Sequence, residues 1–126
     1  VVTEGPATSY HQMMAVMMNQ LDLIACEVAT FVERQGAKAI PVPSDEPYYD
    51  WDQDRSHGRG DLSHKHAAQA AGLGRLGKNS LLITPEFGNR VHLVSVVTDL
   101  DLDPDPLISR ELCRPACTLC MTACPV

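Results

Sequence analysis

The residues best equipped for chemistry in this sequence are thiols. Cys113-Arg-Pro-Ala-Cys117-Thr-Leu-Cys120-Met-Thr-Ala-Cys124-Pro125 holds four of the five cysteines, with gaps of three, two and three residues. Soft sulfur donors packed this closely, with a proline directly after the last, suit a cubane iron-sulfur cluster, in which each thiolate reaches a different iron. From Cys117 onward the spacing is that of bacterial ferredoxins, and only the first gap departs, with three residues where that pattern has two. Cys113, Cys117, Cys120 and Cys124 are therefore the predicted metal ligands.

Three rivals exist for this run. Structural zinc usually splits its ligands into two pairs a dozen or more residues apart. A disulfide knot is disfavoured in a reducing compartment. The first three cysteines alone have the spacing of radical S-adenosylmethionine enzymes, but those carry the motif near the start of a long barrel, whereas here it closes a short chain. In two-cluster ferredoxins the fourth cysteine of such a run ligates the other cluster. The chain lacks an initiator Met and stops one residue after Pro125, so the expectation is a piece of something longer. Either all four cysteines serve one 4Fe-4S cluster, the extra residue between Cys113 and Cys117 changing its geometry, or Cys113, Cys117 and Cys120 serve one cluster and Cys124 another whose remaining ligands lie beyond Val126.

Composition sets the frame around these thiols. At 126 residues the chain accommodates one modest core plus a tail, read as an α+β module over 1–106 and the first half of a ferredoxin-like segment over 107–126. Ten Lys and Arg against sixteen Asp and Glu leave a net charge of -6, a poor match for a phosphate backbone. That leaves nucleic acid unsupported as a partner, tRNA included, without excluding it. No apolar run approaches the roughly 20 residues that span a bilayer, and no signal-peptide pattern opens the chain, so a cytoplasmic protein with no membrane partner is expected. Cys26, inside an apolar helical pattern, reads as a buried structural thiol.

The elements that must position the cysteines follow from periodicity and punctuation. Tyr10, Met14, Met17, Leu21, Ile24, Val28 and Phe31 alternate steps of four and three and predict a long amphipathic helix. Thr8 or Ser9 would cap its start and Gly36 its end, giving roughly 26 residues and about 40 Å. Residues 37–42 read as a short strand that Pro41 and Pro43 confine to an edge. The long polar stretch 44–60, with Tyr48, Tyr49, Trp51, Arg55, His57 and Arg59, reads either as a lid over a planar ligand or as a flexible excursion. A short alanine-rich helix over 61–72 is capped by Ser63 or Asp61 and closed by Gly72. Runs 80–84 and 91–98, joined by a Gly-containing turn, predict an antiparallel hairpin. An acidic linker at 99–105 and a helical turn at 107–112 lead into the cysteines.

Gly72-Leu-Gly74-Arg-Leu-Gly77-Lys78-Asn79 spells the dinucleotide fingerprint and, but for Asn79, a phosphate-binding loop. Both motifs need a strand before and a helix after, so that the helix N-terminus faces the phosphates. Here the order is reversed, and a tight turn into a strand is the plainer reading. A middle reading keeps the exposed amides, with Lys78 and Asn79, as grips for a polar group of some cofactor. His64 and His66, two residues apart on a helix, are a poor chelating pair. One of them facing a ligand and a capping or core histidine both remain open.

The combination of Ser63-His-Lys-His-Ala-Ala-Gln-Ala-Ala-Gly-Leu-Gly-Arg-Leu-Gly-Lys-Asn-Ser-Leu-Leu-Ile-Thr-Pro-Glu-Phe-Gly-Asn-Arg90, then Val-Val-Thr-Asp-Leu100, then the cysteine run, resembles the epoxyqueuosine reductase-like iron-sulfur proteins. The resemblance covers about half of the chain. It implies an α+β module related to nitroreductase-like cobalamin-binding domains, followed by a ferredoxin-like unit with two 4Fe-4S clusters that pass electrons to cobalamin. The cysteines match as ligands, and residues 72–79 match the glycine loop beside the cofactor pocket, making His64, Gly74, Lys78 and Asn79 the candidate cofactor contacts. Members of the family carry their acid in an Asp-Thr-Gly-Pro run ahead of that loop. This chain lacks the run, and Asp61, the nearest acid, is the candidate catalytic residue. The expected function is an iron-sulfur reductase component acting on a small or modified-base substrate, with a ferredoxin or flavodoxin as redox donor. The contrasting expectation is a non-catalytic carrier or a structural iron-sulfur domain of a larger complex.

Overall fold

The computed structural model describes residues 8–46, 48, 50–51 and 58–125. The fold is α+β, with a long N-terminal helix and small antiparallel sheets, and it divides into two units. One comprises the residues up to Asp61 together with Val94–Asp101. The other comprises Leu62–Leu93 and the chain from Leu102 onward.

The first unit is built on helix α1, Thr8–Arg34. It ends where the periodicity predicts, at Gly36, whose φ of +89° only glycine adopts without strain. Strand β1, Ala39–Val42, pairs antiparallel with β6, Ser95–Thr98, in the register Ala39↔Thr98 to Val42↔Ser95. α1 packs on both strands through Ala25, Ala29 and Val32, which are its fully buried residues. Small alanine side chains let the helix axis approach the sheet closely, at the cost of a thin core, since each buried methyl-sized group contributes only about 0.8 kcal/mol. Polar ties close the unit. The Lys38 amide donates to Asp99 Oδ1 at 2.6 Å, Thr98 Oγ1 to the Lys38 carbonyl at 2.7 Å, and the Ser44 amide to Asp22 Oδ1 at 2.8 Å. Two short strands, β2 (Asp50–Trp51) and β3 (Gly58–Arg59), also pair antiparallel here.

This arrangement corrects three expectations. The buried stripe runs through Ala25, Ala29 and Val32, while Ile24, Val28 and Phe31 of the predicted stripe are 51%, 45% and 62% exposed. The apolar residues of α1 wrap more than one face, so periodicity alone cannot choose which meets the sheet. Cys26 is exposed rather than buried, because it stands one residue, about 100° of helix, beyond Ala25. By length and composition α1 is also apolar enough to cross a membrane, against the reading that no run approaches that length. Its Ala25, Ala29 and Val32 face β1 and β6, and the rest of its surface is largely exposed.

In the second unit, helix α2, His64–Ala70, follows Ser63 at the N-cap position and is closed by Gly72 at φ +78°. Strands β4, Arg75–Leu76, and β5, Leu82–Ile83, form a tight antiparallel hairpin that packs on α2. Ala68 and Leu82 are its buried apolar side chains. A final short helix, α3, spans Leu119–Thr122.

The predicted hairpin between 80–84 and 91–98 does not form. β5 pairs back with β4, β6 pairs with β1, and the turn between them closes only on a Thr84↔Gly88 bridge. Both runs are β-prone, but their partners lie elsewhere in the chain, which local pattern cannot reveal. Residues 107–112 are irregular instead of helical, and the helical turn falls later, within the cysteine run.

Candidate functional site

The glycine loop sits within the α2–β4–β5 unit. Gly74 is pressed so closely against β5 that a Cβ there would lie 2.4 Å from the Ile83 carbonyl oxygen, and one on Gly77 would lie 2.7 Å from Ile83 Cδ1. The Leu76 amide donates to Gln69 Oε1 of α2 at 2.8 Å, so helix and hairpin are stitched by a side chain. The β4–β5 turn is closed by Ser80 N–H to Gly77 O at 3.0 Å and Gly77 N–H to Leu81 O at 2.9 Å. Asn79 Oδ1 accepts from the Leu81 amide at 3.2 Å, and Ser80 takes the left-handed φ of +60°. These glycines serve close backbone approach and a tight turn, and the chain order is helix, loop, strand, the reverse of a phosphate cradle.

Lys78 occupies the tip of this turn. Its Nζ donates to the Cys117 carbonyl at 2.8 Å and to the Pro115 carbonyl. Arg75 on β4 reaches the same segment earlier, donating to the Ser109 carbonyl at 3.3 Å and pairing with Glu111 at 3.2 Å. Arg75 and Glu111 were not singled out by sequence. Their opposite charges are the only signal, and residues so far apart in the chain give no local reason to be paired.

Cys113, Cys117 and Cys120 are half-buried, Cys124 is exposed, and none is in a disulfide. The Cys117 amide closes a turn on the Arg114 carbonyl at 3.0 Å, and α3 carries Cys120. Among the described residues no three Cys, His, Asp or Glu side chains converge to hold a metal. The donor set nevertheless fits an iron-sulfur cluster chemically, because four unpaired thiols lie on one short segment whose backbone is tied to the glycine loop.

The other predicted residues are more scattered. Asp61 is exposed, just ahead of α2. His64 begins α2 and is half-buried. Ser63, the expected cap, spends its hydroxyl on a 2.6 Å hydrogen bond with His66 Nδ1 and makes no side-chain cap. Of the aromatic stretch, Tyr48 and Trp51 pack edge to face at 5.4 Å, and Trp51 Nε1 donates to the Tyr48 carbonyl at 3.0 Å. Tyr48 donates to Asp45, and that bond first, then partial burial and the charges of Asp45 and Glu46, push its phenol up to about 12. Tyr49, Arg55 and His57 lie outside the described residues.

A groove of about 400 Å3 lies beside the glycine loop, lined by Leu73, Phe87, Val91 and Leu93, with Glu86 and His92 as its charged or titratable members. It suits part of a ligand; a corrinoid is too large for it.

No family profile matches the chain, and no solved structure does. Curated proteins do match. Epoxyqueuosine reductase of Listeria monocytogenes is 46% identical over 66 residues, covering 52% of this chain and 17% of that protein. The Gloeobacter violaceus epoxyqueuosine reductase is 46% identical over 69 residues, 52% of this chain and 20% of its own. Tetrachloroethene reductive dehalogenase of Dehalobacter restrictus is 38% identical over 105 residues, 81% of this chain and 16% of that protein. The chain thus spans only 16% to 20% of the length of these relatives. It is homologous to epoxyqueuosine reductases over half its length, and the likeness to the dehalogenase, which sequence reading missed, extends further. Both kinds of relative are reductases by name.

Proposed function

We propose, from the kinship with epoxyqueuosine reductases, that this chain is the part of an iron-sulfur reductase in which the cluster-binding segment meets an α+β module. The observation that carries the reading is the run Cys113, Cys117, Cys120 and Cys124, unpaired and borne on a backbone that Lys78 and Arg75 tie to the glycine loop. Cys113, Cys117 and Cys120 would hold a 4Fe-4S cluster, and Cys124 a second cluster completed by cysteines elsewhere in the full protein. When bound, such clusters supply single electrons, and a cobalamin supplies the strongly reducing centre that meets the substrate.

The chain's own residues then divide the remaining work. The thiols bind, and Asp61 and His64 are the groups before and at the start of α2 that can hold a proton. The proposal takes 1–106 as a nitroreductase-like cobalamin-binding module and 107–126 as part of a ferredoxin-like unit, on the strength of the resemblance. It also takes in a small or modified-base substrate, a ferredoxin or flavodoxin as electron donor, and a cytoplasmic location. The relatives' different names leave the substrate itself unassigned.

One observation favours a second reading. Gly74, Gly77, Lys78 and Asn79 are engaged with the chain's own backbone, and the adjacent groove is smaller than a corrinoid, as suits a carrier or structural cluster domain. Anaerobic reconstitution followed by iron and sulfide analysis tests the cluster, and a zinc-loaded, colourless protein would refute it. Titration of the full-length protein with hydroxocobalamin, followed by visible absorbance, separates the readings: a spectral change supports the reductase, and none favours the carrier.

A further inference from the structure

We infer that Lys78 is a positioning residue for the thiols, and that the β4–β5 hairpin is a clamp which sets the turn presenting Cys117. This goes beyond the proposed function and rests on it only for what the thiols hold. The argument begins with the hairpin, whose shape leaves little freedom. Gly74 and Gly77 admit no Cβ against Ile83, and the 77–80 turn is closed by its own backbone hydrogen bond with Lys78 inside it. The Lys78 backbone is thus held in a fixed place, from which its ammonium reaches the cysteine segment.

From there the hairpin grips the cysteine segment at successive points. Arg75 holds the Ser109 carbonyl and the Glu111 carboxylate ahead of Cys113. Lys78 holds the carbonyls of Pro115 and of Cys117 itself. Two carbonyls two residues apart reach one ammonium only if the chain turns between them, and the Cys117 amide closes that turn from inside on Arg114 O at 3.0 Å. A lysine is suited to this task because its three donors rotate about a compact charge and can satisfy carbonyls at different angles. The Arg75–Glu111 pair is partly exposed and worth little alone, and Lys78, itself exposed, adds two charge-assisted bonds, to the carbonyls of Pro115 and Cys117.

The test compares the wild-type chain with Lys78→Met and Lys78→Arg, each checked by circular dichroism for retained helix. Reduced, metal-free proteins are alkylated with iodoacetamide and the rate is read cysteine by cysteine from peptide masses. Lys78→Met should label Cys117 about three- to tenfold faster, as the turn opens more often, with Cys26 in the other unit unchanged. Lys78→Arg, which keeps a cationic donor, should return the Cys117 rate to within about twofold of wild type. Equal Cys117 rates in all three proteins would overturn the clamp. So would acceleration at Cys26 as large as at Cys117, which reports general loosening. Because no metal enters this measurement, its outcome does not depend on whether the thiols take up iron, so failure of the clamp and failure of the proposed function are read from separate experiments.

Discussion

In the unit built on α1, helix meets sheet through Ala25, Ala29 and Val32, and the volume of those side chains fixes how far apart helix and strands sit. In the unit built on α2 the cysteine segment is held mainly by Arg75 and Lys78, acting on backbone carbonyls and one carboxylate. The difference teaches how a cysteine-rich segment can be positioned without a core of its own. A packed interface resists change in size and tolerates change in charge poorly. A segment held by two cations keeps its thiols half-exposed and reachable, and its conformation can be altered one donor at a time.

The sharpest way to break this comparison is to remove a thiol. Cys120→Ala should reduce iron per chain after reconstitution to background while leaving the helical circular dichroism intact. Loss of helix together with iron would mean that the folding of α1 depends on that thiol. Next in size are the glycines. Gly74→Ala should cost about 1–3 kcal/mol in urea unfolding, since its Cβ meets a backbone oxygen in a hairpin that cannot yield. Gly36→Ala has open space around it and only its positive φ to oppose it, so about 1–2 kcal/mol is expected. If Gly74→Ala proved the milder of the two, the hairpin would be too compliant to serve as a clamp.

Smaller still, Asp99→Ala removes the acceptor of the Lys38 amide at the edge of the β1–β6 pair and should cost about 0.5–1.5 kcal/mol by the same measurement. The least effect is expected of Tyr48. Its phenol is pushed up to about 12, chiefly because the protonated hydroxyl donates to Asp45. The fold thus holds this proton more tightly than the unfolded chain, so the contribution to stability is present below about pH 10 and lost as pH rises through 12. The difference in ultraviolet absorbance between wild type and Tyr48→Phe should titrate near the upper value, and a midpoint at the ordinary one would show that the Asp45 bond is not kept in solution.

Much of this was legible in the sequence where a local rule applies. Gly36 and Gly72 end helices because only glycine reaches the backbone angles required, and both termini fell where expected. The resemblance drawn from the thiol spacing and the motif from Ser63 to Arg90 agrees with the epoxyqueuosine reductases that match about half of the chain. What stayed hidden depends on partners distant in the chain. β5 and β6 look like two arms of a hairpin, yet each finds a different strand, and nothing local distinguishes those outcomes. The face of α1 that meets the sheet was misread for a related reason: large apolar residues advertise burial, while Ala25 and Ala29 are buried because they are small. Lys78 was singled out for its motif, and its hydrogen-bond partners are carbonyls, which no side-chain pattern reports.

The unit built on α1 is discontinuous, for β1 finds its partner only after the chain has left at Asp61 and come back at Val94. Truncation should therefore be strongly asymmetric. A stop codon after Asp101 removes all four clustered thiols yet leaves α1, β1 and β6 all present, whereas one after Leu93, only eight residues earlier, deprives β1 of its mate and α1 of half its platform. Those eight residues make the expression boundary chosen for this protein a structural decision.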